Sequence, residues 1–280
     1  MADRLVWLLN RFELRASVFQ AGHLACRARV PDKPAVGFMH ILRSGSLRLV
    51  SEDGVDRELH EPTAFFYMNP TQHYIEPLDD QVSIICATFE FGIGEGNPLQ
   101  AALPSLYVLP LAEAPTLDLT LQQLFLEAEE DHCGRDALLD RLSGVVLILM
   151  LRDLMDQKRL DIGLLAGLAD PKLMRAINAI HERPDLNWTL DKMASEALMS
   201  RARFAERFHD VVGITPGAYL SDWRLGLAKS KLLKGSSVQS VAADVGYGSA
   251  SALSRVFATR FGMSPTEWRR SAHPSSAVAQ

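Results

Sequence analysis

Cysteine is scarce: Cys26, Cys86 and Cys133 are few, scattered and odd in number, and no CxxC pair occurs among the 280 residues. That argues against a disulfide framework and against a thiolate zinc site. Long apolar runs are also missing. The longest, Leu142 to Leu151, is bracketed by Arg141 and Arg152 and is about half of what a bilayer crossing needs. Asp3, Arg4 and Arg11 interrupt the N-terminus, which lacks the unbroken apolar core of a signal peptide. No tract is dominated by Gly, Ser, Pro or one charge, which excludes long disorder. What remains is a soluble, cytoplasmic chain with 48% apolar and 22% charged residues, long enough for two cores.

The net charge of -5 hides an asymmetry. Residues 170–280 hold 15 Lys and Arg against 10 Asp and Glu, whereas residues 1–169 hold 14 against 24. A basic C-terminal part on an acidic N-terminal part suits a nucleic-acid-binding domain carried by a sensing or oligomerising one, although many solvated helical surfaces are equally basic.

The C-terminal part contains an internal repeat. Met193-Ala194 matches Val241-Ala242 at an offset of 48, and Phe204, Phe208, Gly213, Pro216 and Tyr219 match Leu253, Phe257, Gly262, Pro265 and Trp268 at 49. Each copy holds a short amphipathic helix (190–197; 238–245), a turn and a second helix (200–211; 250–261), which is the pattern of a helix-turn-helix. Thr189 and Ser237 are expected to cap the first helices, Ser200 and Ser249 the second. Gly246 suits the tight turn of the second copy, and Leu198 takes that place in the first. Phe204, Phe208, Leu253, Phe257 and Phe261 share inward faces. Thr215-Pro216 starts a connecting helix to Leu233. Its length of roughly 27 Å can hold two recognition helices near successive major grooves about 34 Å apart.

Ala242 to Gly246, Ser254-Arg255-Val256-Phe257, Phe261-Gly262 and Ser264-Pro265 through Trp268-Arg269 resemble the signature of the AraC/XylS family of bacterial regulators. The resemblance covers about a hundred residues and implies promoter DNA as partner, with RNA polymerase as a second partner if the chain activates. Candidate DNA-contacting residues are Ser200, Arg201, Ala202, Ala205 and Glu206 on the first unit, and Ser249, Ala250, Ser251, Arg255 and Arg260 on the second. Arg201 can read guanine and Glu206 cytosine, or the two pair on a solvated surface. Glu206 stands where the family usually has a basic residue. Arg255 is the expected anchor of the second unit, and Arg260 with Arg269 and Arg270 suits phosphates. Arg203 and Arg207 suit phosphate or acidic neighbours.

Between Arg15 and Phe91, short β-rich runs (46–50, 65–68, 82–91) broken by Ser44-Gly45, Asp53-Gly54 and Asn69-Pro70 predict a small antiparallel barrel. His40, Arg43, Gly45, Pro70 and His73, followed by Ile85-Cys86 to Phe91, Asn97-Pro98-Leu99 and Ala102-Leu103-Pro104, resemble the cupin-type ligand-binding half of the same family. By that resemblance a small-molecule effector is expected near His40, Arg43 and His73. The plainer reading is that His40 and His73 hydrogen-bond and hold the barrel walls. A metal-dependent cupin enzyme, the alternative from another class, normally needs three ligands and an open position; only two imidazoles are well placed, so neither metal, cofactor nor catalysis is expected. Of the cysteines, Cys26 beside Arg27 and Arg29 is the candidate redox sensor.

Leu117, Leu121, Leu124, Phe125 and Ala128, then residues 137–155, recur at helical spacing with too much apolar surface for an exposed pair. They are expected to pack on the barrel or on a second subunit, and the family resemblance favours a homodimer. The expected fold is therefore α+β: a cupin-like barrel (1–112), a helical dimerisation segment (113–162), a linker (163–171), an all-α DNA-binding domain of two helix-turn-helix units (172–272) and a tail (273–280).

Overall fold

The computed structural model describes residues 5–6, 9, 14–30, 36–68, 71–91, 105–157 and 162–272. Asn69-Pro70, Asn97-Pro98-Leu99, Ala102-Leu103-Pro104 and the tail 273–280 lie outside them. Two units result, and each is described by itself.

Among the described residues, the first unit has nine strands: β1 (Leu14–His23), β2 (Ala28–Val30), β3 (Gly37–Ser44), β4 (Leu47–Ser51), β5 (Asp56–Leu59), β6 (Thr63–Tyr67), β7 (His73–Pro77), β8 (Ser83–Phe91) and β9 (Leu106–Pro110). They form two antiparallel sheets, ordered β1-β8-β3-β6-β9 and β2-β7-β4-β5. Period-2 alternation decides which side chains meet between the sheets. Phe38 and Leu42 of β3, Phe65 and Tyr67 of β6, and Ile84 and Cys86 of β8 join Leu47, Leu49 and Ile75 in one core. The other face of the larger sheet is apolar too: Met39, Ile41, Phe66 and Ala87 are fully buried.

That second face explains the helices. In α1 (Asp118–Glu129), Leu121, Leu124 and Phe125 are buried, and in α2 (Arg135–Asp156) so are Leu139, Val146, Leu147, Met150, Leu151 and Leu154. The longer helix packs on β1 and on α1. β1 is an edge strand of the larger sheet, with a register shift between Val18 and Gln20, and its Val18 amide donates to Asp140 Oδ1 at 2.8 Å. That bond satisfies an edge amide and ties α2 to β1.

The second unit is helical: α3 (Leu164–Ala169), α4 (Leu173–Glu182), α5 (Leu190–Glu196), α6 (Arg201–Val212), α7 (Pro216–Leu233), α8 (Val238–Asp244), α9 (Ala250–Phe261) and α10 (Pro265–Ala272). The stretch 163–171, expected as a linker, is instead helical and packed: Leu164, Leu165 and Leu168 are buried. Its glycine serves close approach, since a Cβ on Gly167 would lie 2.8 Å from Ile177 Cδ1 and 2.9 Å from Val212 Cγ2. Its aspartate starts the next helix, Asp170 Oδ1 accepting from the Lys172 and Leu173 amides at 2.8 and 3.0 Å.

The two helix-turn-helix copies are α5-α6 and α8-α9, joined by the 18-residue α7. Phe204, Phe208, Leu253 and Phe257 are fully buried, as is Trp223 of α7. Thr189, Ser237 and Ser249 accept from the Lys192, Ser240 and Ala252 amides as expected of caps. Ser200 differs: its backbone is extended as a cap requires, but its side chain accepts no capping bond, which leaves the hydroxyl exposed and free for another partner. The first turn is made at Leu198 with φ +53°, a left-handed conformation held by a non-glycine residue.

Candidate nucleic-acid interface

The amphipathic patterning of α6 places Phe204 and Phe208 inward, so Ser200, Arg201, Ala202 and Glu206 are exposed and Ala205 is half-buried. In α9, Leu253 and Phe257 go inward, which leaves Ser249, Ser251, Arg255 and Arg260 exposed and Ala250 half-buried. All ten expected contact residues therefore lie on the second helices of their units or on the caps. Small side chains at the N-terminal turns let the helix backbone approach a surface closely.

The arginines differ in what already holds them. Arg201 pairs with Asp191 of α5 at 3.6 Å, rather than with Glu206. Arg260 reaches Asp222 of α7 at 3.1 Å. Arg207 donates through Nε to Asp170 Oδ2 at 2.8 Å, with Nη2 closing on the same oxygen. Burial alone would raise the Asp170 carboxyl, but the Leu173 and Lys172 amides and the Arg207 guanidinium outweigh it and hold it below the usual carboxylate range. Arg207 is accordingly engaged by an acidic neighbour, one of the two roles open to it on sequence. Among the described residues, the Arg255 guanidinium has no ion-pair partner and stands exposed on α9.

Three interactions escape sequence reading because they join distant elements: Asp170 to Arg207, Asp222 to Arg260, and Arg224 to the loop before α5. In the last, Arg224 donates from Nε to the Pro184 carbonyl and from Nη2 to the Leu186 carbonyl, both at 2.8 Å.

In the first unit, His40 on β3 and His73 on β7 meet across the two sheets, Nε2 to Nε2 at 2.8 Å, and both are fully buried. The Thr71 carbonyl, 2.8 Å from His73 Nδ1, can only accept, so neutral His73 carries its proton there and its Nε2 accepts from His40. His40 Nδ1 is then a buried acceptor with no partner. Aromatic rings fill the surroundings: Phe65 stacks on His40 at 4.8 Å and Tyr67 on His73 at 4.2 Å. Burial, and for His40 the neighbouring His73, pushes both imidazoles toward the neutral form, His73 to about 4 and His40 well below its usual value.

Arg43 does not join them. It is three residues from His40 on the same strand, so parity places it on the opposite face. There it lies over the Phe125 ring at 5.2 Å, pairs with Glu129, and borders a groove of about 440 Å³ with Pro62, Leu111, Pro115, Leu121 and Phe125. Among the described residues no group of three or more His, Cys, Asp or Glu is arranged to hold a metal ion, and no helix is long and apolar enough to cross a membrane. Cys26 is exposed, and its neighbour Arg27 is occupied over the Tyr74 ring at 4.3 Å.

Comparison with known proteins agrees with both halves. Residues 3–156 match the Cupin family and residues 193–271 the Helix-turn-helix domain family. The chain is 30% identical to an AraC-like transcription regulator of Streptomyces lividans, over 98% of each chain. It is 32% identical to the HTH-type transcriptional regulator AlkR of Acinetobacter baylyi, over 84% of this chain and 79% of that one. Among solved structures, the DNA-binding domain of AdpA in complex with a target DNA is 28% identical over 39% of this chain and 99% of that one, with a TM-score of 0.35.

Proposed function

We propose, from the premise that this chain belongs to the AraC-like family of transcription regulators, that its two helix-turn-helix units grip adjacent major grooves of promoter DNA while its cupin half receives a signal and pairs the chains. The observation that carries the DNA reading is the exposed N-terminal face of α6 and of α9, in two units that one 18-residue helix joins. On this reading Arg255 is the principal anchor of the second unit, Arg201 and Glu206 read bases from the first, and Arg260 meets phosphate after exchanging Asp222 for it. The output is promoter occupancy, and the cytoplasm is where that promoter lies. The metal-dependent enzyme alternative would require a third ligand beside His40 and His73.

The test is a salt titration of the purified chain on DNA upstream of its own gene beside a scrambled fragment. Arg255→Ala is expected to weaken binding to the preferred fragment by about tenfold or more, given roughly 1–3 kcal/mol per good base contact. An unchanged affinity would remove Arg255 from the interface. No binding at low salt by the wild-type chain would remove the function.

The pairing surface is read from α2. Leu138 and Val145 are exposed, and Leu142 and Leu149 are half-buried; their four-three spacing is that of a coiled-coil seam, which is complementary to a second copy of itself. The joint substitution Leu142→Glu and Val145→Glu is expected to convert a dimer to a monomer in analytical ultracentrifugation while circular dichroism stays unchanged. A dimer that survives it would place the interface elsewhere. For the effector, the groove beside Arg43 falls within the size of small-molecule sites, roughly 300–1,000 Å³.

A further inference from the structure

We propose that Arg224 is a positioning residue that locks the two helix-turn-helix units at one separation and phase, so that the chain accepts its two DNA segments at a single spacing. The inference rests on the reading that both units meet DNA. Arg224 projects from the middle of α7 where the loop before α5 and the turn between α8 and α9 come together. Its Nε and Nη2 hold the Pro184 and Leu186 carbonyls at 2.8 Å, which fixes the loop that leads into α5. Its guanidinium lies 5.6 Å from the Tyr247 ring centroid, in the turn between α8 and α9. That turn comes so close that a Cβ on Gly246 would stand 2.5 Å from Arg224 Nη2 and 2.8 Å from the Pro184 carbonyl oxygen.

A planar guanidinium with two donors along one edge and a face for an aromatic ring suits this junction, and an ammonium group cannot fill all three roles. Without the lock, α7 still joins the units, but the loop before α5 and the turn before α9 lose their common support. Inserting two base pairs turns a segment by roughly 70° and moves it about 7 Å. A rigid pair of units registers that change, and a loosened pair absorbs it.

The experiment uses the full-length chain, with DNA duplexes that the wild-type protein enriches from a random pool. After footprinting, duplexes are made with zero, one or two base pairs inserted between the two protected segments, and with one segment scrambled. Wild type is expected to lose about tenfold or more on the two-pair insertion, the loss of roughly one good base contact. Arg224→Gln is expected to cut that penalty to about threefold or less while binding the one-segment duplex within about twofold of wild type. Arg224→Lys, which keeps the charge and one donor, should fall between them, and it carries the test if the glutamine variant melts early. A folded variant with the full wild-type penalty overturns the proposal, as does an equal loss on one-segment and two-segment duplexes, the mark of a merely structural role. A wild type indifferent to spacing overturns the lock while leaving DNA binding intact. A wild type that enriches nothing overturns the function beneath it.

Discussion

Gly246→Ala is expected to cost about 4–8 kcal/mol in urea unfolding of the helical unit, several times the cost of the same change at Gly262. Both glycines have positive φ, +84° and +73°, so each substitution brings an alanine into the left-handed region at roughly 1–2 kcal/mol. The surroundings separate them. Nothing lies within 4 Å of a Cβ on Gly262, whereas one on Gly246 meets Arg224 and the Pro184 carbonyl oxygen inside 3 Å. Arg224 can swing away only by releasing the Pro184 and Leu186 carbonyls, and hydrogen bonds from a charged donor are worth roughly 1.5–3 kcal/mol each. Trp188, Trp223 and Trp268 lie in this unit, so fluorescence reports its unfolding. Equal losses at the two positions would show that the close contact at Gly246 is not made.

The repeat was readable because each of its elements leaves a local mark: an inward aromatic pair, a capping hydroxyl, and a Pro at the start of α7. The cap at Ser200 and the linker at 163–171 show the limits of such marks. An extended backbone before a helix is compatible with a cap whether or not the hydroxyl turns inward, and a short stretch with two glycines and an aspartate looks like a linker unless its leucines have a partner. The partners are α4 and α6, against which α3 packs, so closely that a Cβ on Gly167 would meet Ile177 and Val212. The same holds for the residues expected near an effector. Resemblance grouped His40, Arg43 and His73, but strand parity divides them, with the two imidazoles between the sheets and the guanidinium outside. The carboxylates that hold Arg207, Arg201 and Arg260, namely Asp170, Asp191 and Asp222, pair across helices and carry no spacing signature.

The buried histidine pair has a pH consequence whose sign follows from the direction of its shifts. Unfolded histidines bind a proton near pH 6.5. In the folded chain His73 stays neutral to about 4, and His40 is lowered well below its usual value. Between those limits the unfolded state holds more protons, so stability is complete above pH 6.5 and is lost as pH falls toward 4. The His73 shift alone corresponds to about 3 kcal/mol over the whole window, about 2 of it above pH 5, and His40 adds in the same direction. Asp56 and Asp79 are also lowered, Asp56 chiefly by its Arg48 hydrogen bond and Asp79 by the Gln81 amide, but depressed carboxylates lose their contribution below about pH 4. The interval from 7 to 5 therefore isolates the imidazoles. Calorimetry of the wild-type chain should show the first unit losing stability across it. The joint substitution His40→Leu and His73→Leu, which replaces the pair by apolar side chains in a ring-lined interior, should flatten that slope while leaving the unit folded at pH 7. An undiminished slope in the double variant would mean that the pair does not carry the acid sensitivity.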